Sequence, residues 1–394
     1  MNGLKCPKCF LIHPDNAKKC YCGHVFGAPV NSDIDVPVAI QGKNTVRKLK
    51  FHGKGFYLFS IFIVNILLTV LTLGVYYFWG KVKIKRYLYS QLEFDGDRFT
   101  FHGKGKELFI GGVIGIVIFA IFYGSQYLIE TSGNKYFIGI SLILSLIFFS
   151  LFPIIFILSR RYYLSRSSWR GIRFSFRGGI KQFYRVIAKG VLLTIVTFGL
   201  YSPILRNRMK QYFVENSYFG TRSFRYSGNG MDVFKHFAQT FFLYLPGTMI
   251  IIFLVIFLVG IILGFVIGKD LKTYSHVVAV IGSYISMYVV FFYFEFWFTK
   301  YVWNHTTFMD ADFRLKIDFI PYLKLKTGNL FIYILTIGLG WPWVAVRNNK
   351  FITERLILEG NPDFETIRQQ YEEASATGES VADVFDIAGF DLGF

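Results

Sequence analysis

Leu67-Leu68-Thr69-Val70-Leu71-Thr72-Leu73-Gly74-Val75-Tyr76 returns 125 positions later as Leu192-Leu193-Thr194-Ile195-Val196-Thr197-Phe198-Gly199-Leu200-Tyr201. A shorter copy, Thr336-Ile337-Gly338, stands a further 139 residues on. Each copy leads into a basic stretch: Lys81-x-Lys83-x-Lys85-Arg86-Tyr87, Arg206-x-Arg208-x-Lys210-x-Tyr212, and the weaker Arg347-x-x-Lys350-Phe351. A second motif, Phe51-His52-Gly53-Lys54-Gly55, recurs as Phe101-His102-Gly103-Lys104-Gly105 and loosely as Tyr226-Ser227-Gly228-Asn229-Gly230. Self-similarity of this kind is the signature of a repeat architecture.

The residues around the repeat place it in a membrane. Of 394 residues, 53% are hydrophobic and only 17% charged. A soluble domain carries about 25% charged residues. The stretches 110–128, 136–159 and 239–268 hold no charge. A bilayer core about 30 Å thick takes roughly 20 apolar residues to cross as a helix. The first 50 residues are polar and show no cleavable signal, so the apolar run from Phe56 is expected to act as the insertion signal.

The sequence therefore predicts an all-α integral membrane protein with an internal tandem repeat. Calling the Thr-x-Gly segment A, the order is A (57–79), B (108–129), C (136–158), A (184–205), B (239–268), C (275–298), A (328–345). The runs Phe94–Phe101 and Tyr218–Tyr226 alternate and predict short cytosolic β-hairpins between the segments. The expected domains are a zinc-ribbon-like 1–28, a linker 29–50, repeats over 51–175 and 176–314, a partial repeat over 315–360, and an acidic tail over 361–394.

Lysine and arginine counts address topology, because basic loops stay cytoplasmic. Seven plain spans would split these residues 21 inside to 22 outside. If each A segment instead enters and returns on one side, the split is 40 to 3. The rule thus favours re-entrant or interfacial A segments with both termini cytoplasmic. The competing reading makes A a kinked span and the repeats inverted, as in many transporters. The net charge of +18 is assigned to topology and anionic lipid head groups rather than to nucleic acid. Lys83, Lys85, Arg86, Arg160, Arg161, Arg206 and Arg208 are the head-group candidates.

All four cysteines lie near the start: Cys6-Pro7-Lys8-Cys9, then Cys20-Tyr21-Cys22-Gly23-His24. Two such pairs match zinc-ribbon spacing and predict one structural zinc ion. The second pair is one residue short, so His24 is a candidate substitute ligand. The alternative is two disulfides, which a reducing cytosol disfavours.

At membrane depth, Glu295 is the one acid in a strongly apolar run, and an ionisable group there is a functional candidate. Its bland reading is pairing with Lys300 near the segment end. Asn65, Gly190 and Asn329 share one register of the A segments, and Thr72, Thr197 and Thr336 another. Polar residues at a helix break can line a path; small and hydroxyl residues also serve helix packing. The stretch 359–394 holds nine acids and one basic residue, Arg368. It suits docking to a basic surface or a partner, or a flexible acidic tail. No nucleotide-binding, hydrolase-elbow or zinc-protease motif is present, and an enzyme is not expected.

The repeated Leu-Leu-Thr-x-x-Thr-x-Gly-x-Tyr, the basic runs ending in Tyr, the Phe-x-Gly-x-Gly starts, and the ending Gly378-Glu379-Ser380-Val381-Ala382-Asp383-Val384-Phe385-Asp386 resemble the YjgN family over roughly residues 48–394. The resemblance implies a bacterial inner-membrane protein of undefined function and brings no catalytic or transport residues. The reading favoured on sequence is a transporter or channel for an unknown solute with A segments lining the path, with homo-oligomerisation open. The alternative is a non-transporting scaffold or sensor that recruits cytosolic partners through residues 1–28 or 361–394.

Overall fold

The computed structural model describes residues 4–5, 12–13, 45–132, 137–267 and 271–367. In the N-terminal part, Met1–Lys43, Leu4–Lys5 and Ile12–His13 pair as antiparallel strands. The body, Asn44–Phe394, contains everything discussed next.

The all-α expectation fails. The body is built on one antiparallel sheet of eleven strand segments. Its two end segments, Asp97–Arg98 and Thr100–Phe101, are separated in sequence by Phe99 alone. They form one bent strand whose first half pairs with Leu92–Phe94 and whose second half pairs with Ser167–Trp169. The sheet therefore closes on itself as a ring of ten strands, which removes the exposed edges of an open sheet.

Five βααβ repeats, not two and a part, make this ring. Repeat 1 runs from strand Val46–Phe51 through helices Gly55–Leu71 and Tyr77–Ser90 to strand Leu92–Phe94. Repeat 2 runs from the bent strand through Gly105–Thr131, Phe137–Ser150 and Phe152–Ser165 to Ser167–Trp169. Repeat 3 comprises Ile172–Phe176, Ile180–Val196, Ser202–Glu215 and Ser217–Phe219. Repeat 4 comprises Arg222–Tyr226, Gly230–Ala238 continuing through a π-helical turn into Leu245–Ile267, then Leu271–Asn304 and Thr306–Phe308. Repeat 5 comprises Ala311–Leu315, Phe319–Leu335, Trp341–Thr353 and Leu356–Glu359.

The two strands of each repeat pair with one another, so every helical pair leaves the sheet and returns to it. Five equivalent amide-to-carbonyl bonds close the bases: His52 to Gln91 at 2.9 Å, His102 to Arg166 at 2.7 Å, Arg177 to Asn216 at 2.9 Å, Ser227 to His305 at 2.9 Å and Lys316 to Arg355 at 2.9 Å. Successive repeats are joined by two-residue turns. Asp95-Gly96 and Arg170-Gly171 take positive φ at both positions, the conformation that matches the twist of a tight hairpin. The fifth junction has no such turn. Leu356–Glu359 pairs there with Val46–Phe51, so the two ends of the body complete the ring.

This ring gives the Phe-x-Gly-x-Gly motif its physical meaning. The aromatic ring at each strand end folds over the glycine two residues on. A Cβ on Gly53 or Gly103 would stand 2.5 Å from the ring of Phe51 or Phe101. The second glycine admits the neighbouring repeat: Trp343 fills the space beside Gly55, Trp79 that beside Gly105, and Ile204 that beside Gly230.

The A segments are helix–turn–helix units rather than single helices. Their turns share one hydrogen-bond set. Gly74, Gly199 and Gly338 donate their amides five residues back, to Thr69, Thr194 and Tyr333, at 2.7, 2.7 and 2.9 Å. This is the Schellman bond that ends a helix on a left-handed residue. Leu73, Phe198 and Ile337 hold φ near +50° beside those glycines and form the tips. Among the described residues, repeats 2 and 4 instead carry four helices long and apolar enough to cross a membrane, 105–131, 138–165, 230–255 and 280–304.

Candidate functional site

Closing the ring brings one residue of each repeat to its axis. Phe94, Trp169, Phe219, Phe308 and Leu358 are each buried and share one cluster. Leu49, Phe99, Phe174, Phe224 and Phe313, from the partner strands, pack against them as a second tier. The register pairs them directly: Leu49 faces Phe94, Phe174 faces Phe219, Phe224 faces Phe308 and Phe313 faces Leu358. Trp169 stacks between tiers, with ring centroids 5.2 Å from Phe94, 5.7 Å from Phe219 and 6.3 Å from Phe99. Its indole N–H donates to the Phe94 carbonyl at 3.2 Å, so its polar atom is satisfied inside the apolar tier.

The chain after the last strand covers this plug. Phe364 lies 5.1 Å from Trp169, 5.9 Å from Phe94 and 6.2 Å from Phe308, and Ile367 is buried in the same cluster. Arg47 holds the cap down. Its guanidinium stacks 5.0 Å over the Phe364 ring and donates to the Asn361 side chain at 3.3 Å. The bore of the ring is thus filled by ten side chains, eight of them aromatic, with Phe364 over it.

The membrane-depth candidates are placed as follows. Thr72, Thr197 and Thr336 each donate to the carbonyl four residues back, at 2.7, 2.7 and 2.6 Å. Each also accepts an amide four residues on, from Tyr76, Tyr201 and Gly340, at 2.9, 3.0 and 2.7 Å. One hydroxyl thereby ends the first helix and starts the second. Asn65 is buried and donates to the Gly80 carbonyl at 3.1 Å on the returning helix. Asn329 donates to the Asn348 side chain at 2.8 Å. Gly190 gives the same close approach by having no side chain, with Leu205 against it. The structure brings these residues together within each short hairpin and does not gather them around one path.

Glu295 pairs across repeats. Arg206 grips its carboxylate with both terminal nitrogens, Nη2 reaching Oε2 at 2.7 Å and Nη1 reaching Oε1. The guanidinium also lies 4.2 Å over the Phe298 ring. Lys300, the partner expected from sequence, donates instead to the Ile317 carbonyl at 3.0 Å. That contact belongs to a series: Arg86 donates to Gly103 and Arg161 to Gly178, each at 3.2 Å and each 17 residues on. These basic side chains stitch one repeat to the next. Of the other head-group candidates, Lys83 donates to the Tyr76 phenol, Lys85 lies over Tyr163, Arg208 lies over Tyr201, and Arg160 is half-buried.

The tyrosines of the basic stretches, Arg86-Tyr87 and Arg161-Tyr162 among them, read from the sequence as head-group anchors, and their hydrogen bonds within the body were missed. The Tyr212 phenol donates to the Gly179 carbonyl at 2.7 Å, and Tyr162 donates to Glu107 at 2.8 Å. Lys54 and Asn229 donate their amides to Tyr87 and Tyr301, both at 2.8 Å. The repeated basic-Tyr pairing was the visible signal, but it reads equally well as a membrane anchor. Cys6, Cys9, Cys20, Cys22 and His24 lie outside the described residues, as does the chain beyond Ile367. Among the described residues no three His, Cys, Asp or Glu side chains gather as a metal site.

A profile of the family described as "Bacterial protein of unknown function (DUF898)" matches residues 46–384. Three proteins named Inner membrane protein YjgN are similar to the chain. That of Escherichia coli K12 is 34% identical over 161 residues, 40% of this chain and 36% of the relative. That of Escherichia coli O157:H7 is 28% identical over 255 residues, 56% of this chain and 60% of the relative. That of Salmonella typhimurium LT2 is 30% identical over 151 residues, 38% and 36% of the two chains. The chain covers less than two thirds of the length of each of these relatives. No solved structure matches it significantly.

Proposed function

We propose, from the premise that the chain belongs to the DUF898 family of bacterial proteins of unknown function, that it is a membrane-anchored platform and moves no solute. The observation that carries this reading is the filled bore. A path along the ring axis would have to pass two tiers of five packed residues and the Phe364 cap. Thr72, Thr197 and Thr336 are engaged in the turns, Glu295 is held by Arg206, and Asn65 and Asn329 donate across their helix pairs while their buried side-chain oxygens stay without a partner. In this reading the ring lies on the cytoplasmic face, the helical hairpins hold it there, and its basic residues meet anionic head groups. Residues 1–28 and the acidic tail then serve as its recruiting arms, and no catalysis is assigned.

Reconstituted vesicles test the point. Vesicles carrying the wild-type chain should hold a potassium or proton gradient as long as protein-free ones. A leak that scales with the amount of protein, and disappears on mutation of Asn65, Glu295 or Asn329, would instead support the transport reading.

We also propose one structural zinc ion on Cys6, Cys9, Cys20 and Cys22, with His24 able to replace one thiolate. Full-length protein purified with zinc present should carry one zinc per chain by elemental analysis. The double variant C6S/C9S should carry none. Equal metal content in the two would contradict the assignment.

A further inference from the structure

Hairpin length divides the five repeats into two classes, and the division has a mechanical consequence. It rests on the reading of the ring as lying on one side of the bilayer. In the short hairpins of repeats 1, 3 and 5, Asn65, Gly190 and Asn329 mark one level. Just on the sheet side of that level stand Lys81 and Arg206; Arg347 sits one residue on the tip side of Asn348 and its guanidinium reaches back, 3.0 Å from where a Cβ on Gly328 would lie. Beyond it, residues 65–76, 190–201 and 329–341 contain no charge. The tips Leu73, Phe198 and Ile337 are 96%, 98% and 93% exposed. Apolar side chains so exposed at a charge-free turn suit hydrocarbon rather than water.

Eight residues separate each level from its tip, about 12 Å at the helical rise of ~1.5 Å per residue. That is less than half of a hydrocarbon core about 30 Å thick. The long hairpins of repeats 2 and 4 contribute four apolar spans of at least 25 residues each among the described residues. Each is at least about 38 Å long and can cross both leaflets. Ten helical arms thus enter the leaflet next to the ring, and four of them continue into the other. Six arms, each about 10 Å across, give the ring-side leaflet about 500 Å² more protein cross-section than the far leaflet.

We propose that the body is a one-leaflet wedge, whose partner is a lipid surface curved so that the ring-side leaflet is convex and expanded. Two parts of the surroundings favour this geometry. Repeats 5 and 1 are both short and adjacent, since Leu356–Glu359 pairs with Val46–Phe51, so one side of the ring lacks arms in the far leaflet. The turn bonds of Thr72, Thr197 and Thr336 fix the tips, so the short hairpins cannot extend by unwinding without losing them.

Orientation in vesicles of two sizes tests the wedge with the unmodified full chain. The protein is reconstituted into small, strongly curved vesicles and into large, nearly flat ones. Lys48 and Lys50, exposed on the outer face of the sheet, are labelled with an amine reagent that cannot cross the bilayer, and labelling is read by mass spectrometry. The ratio of ring-out to ring-in molecules should be at least about threefold higher in the small vesicles, because insertion of this kind is curvature-sensitive. In L73N/F198N/I337N the ratio should become size-independent, since Asn tolerates the left-handed backbone at the tips but resists hydrocarbon. An equal ratio for the wild type in both sizes would overturn the wedge, as would an unchanged bias in the triple variant. A leak from the same vesicles would sink the platform reading and leave this ratio untouched.

Discussion

Trp169→Ala should lower the stability of the detergent-solubilised protein by about 3–5 kcal/mol, the range for emptying an aromatic site in a packed core. Trp169 is 3% exposed and stands in the middle of the plug, with rings of Phe94, Phe219 and Phe364 around it. Its loss removes dispersion contacts on several sides and leaves the Phe94 carbonyl without the indole donor. The tier cannot collapse easily, because the strands that carry it are held in a closed ring. Thermal unfolding followed by tryptophan fluorescence or light scattering reads the change. Phe364→Ala should cost less, because Phe364 is only half-buried and lies above the tiers rather than within them. A Trp169→Ala protein as stable as the wild type would mean that the plug is not the core of the body.

Arg206→Ala should destabilise the protein by about 1–3 kcal/mol, more than removal of an ordinary surface charge. Breaking a buried ion pair by removing one partner costs about 3–5 kcal/mol, and here solvent reduces it, the side chains being 38% and 22% exposed. The variant loses the bridge and the stacking on Phe298, and Glu295 is left without its bidentate partner in a run of aromatic residues. Glu295→Gln should be milder, since an amide can still accept from Arg206. The exchange R206E/E295R should recover part of the loss. Denaturation midpoints of the wild type, R206E, E295R and R206E/E295R give the coupling. Additive losses, with no recovery in the exchanged pair, would show that the two residues act independently.

How much of this was legible in the sequence depends on what each feature looks like in one dimension. Membrane character was plain, because it is written in runs longer than 20 residues. The helix break inside each A segment was also legible, because Thr-x-Gly stands within it. The ring was not. Its strands are two to six residues long, and only Phe94–Phe101 and Tyr218–Tyr226 alternate visibly. The second and fourth hairpins hide in Ser167-Ser168-Trp169-Arg170-Gly171 and Thr306-Thr307-Phe308-Met309-Asp310, which share only a hydroxyl pair and one aromatic before the turn, too short a pattern to mark a strand. The closing pair, Val46–Phe51 with Leu356–Glu359, joins segments more than three hundred residues apart and leaves no local trace.

The same blindness affected the candidate site. Glu295 stood out correctly as unusual, but its partner lies 89 residues away in another repeat, where sequence proximity pointed to Lys300. The equivalence of Asn65, Gly190 and Asn329 was visible. Its meaning became clear only when the returning helix placed Gly80, Leu205 and Asn348 against them.

In the proposed arrangement all five helical hairpins start and end on one sheet at one side of the bilayer. Single cysteines at Arg98, Arg222 and Ser132, introduced after the four native cysteines are replaced by serine, test it in intact cells with a thiol reagent that cannot cross the inner membrane. Arg98 and Arg222 lie on the sheet after repeats 1 and 3, and Ser132 lies at the far end of the first long helix. Labelling from the periplasm at Ser132 alone is the predicted result. Periplasmic labelling at Arg98 or Arg222 would mean that a short hairpin crosses the membrane, and would contradict the account.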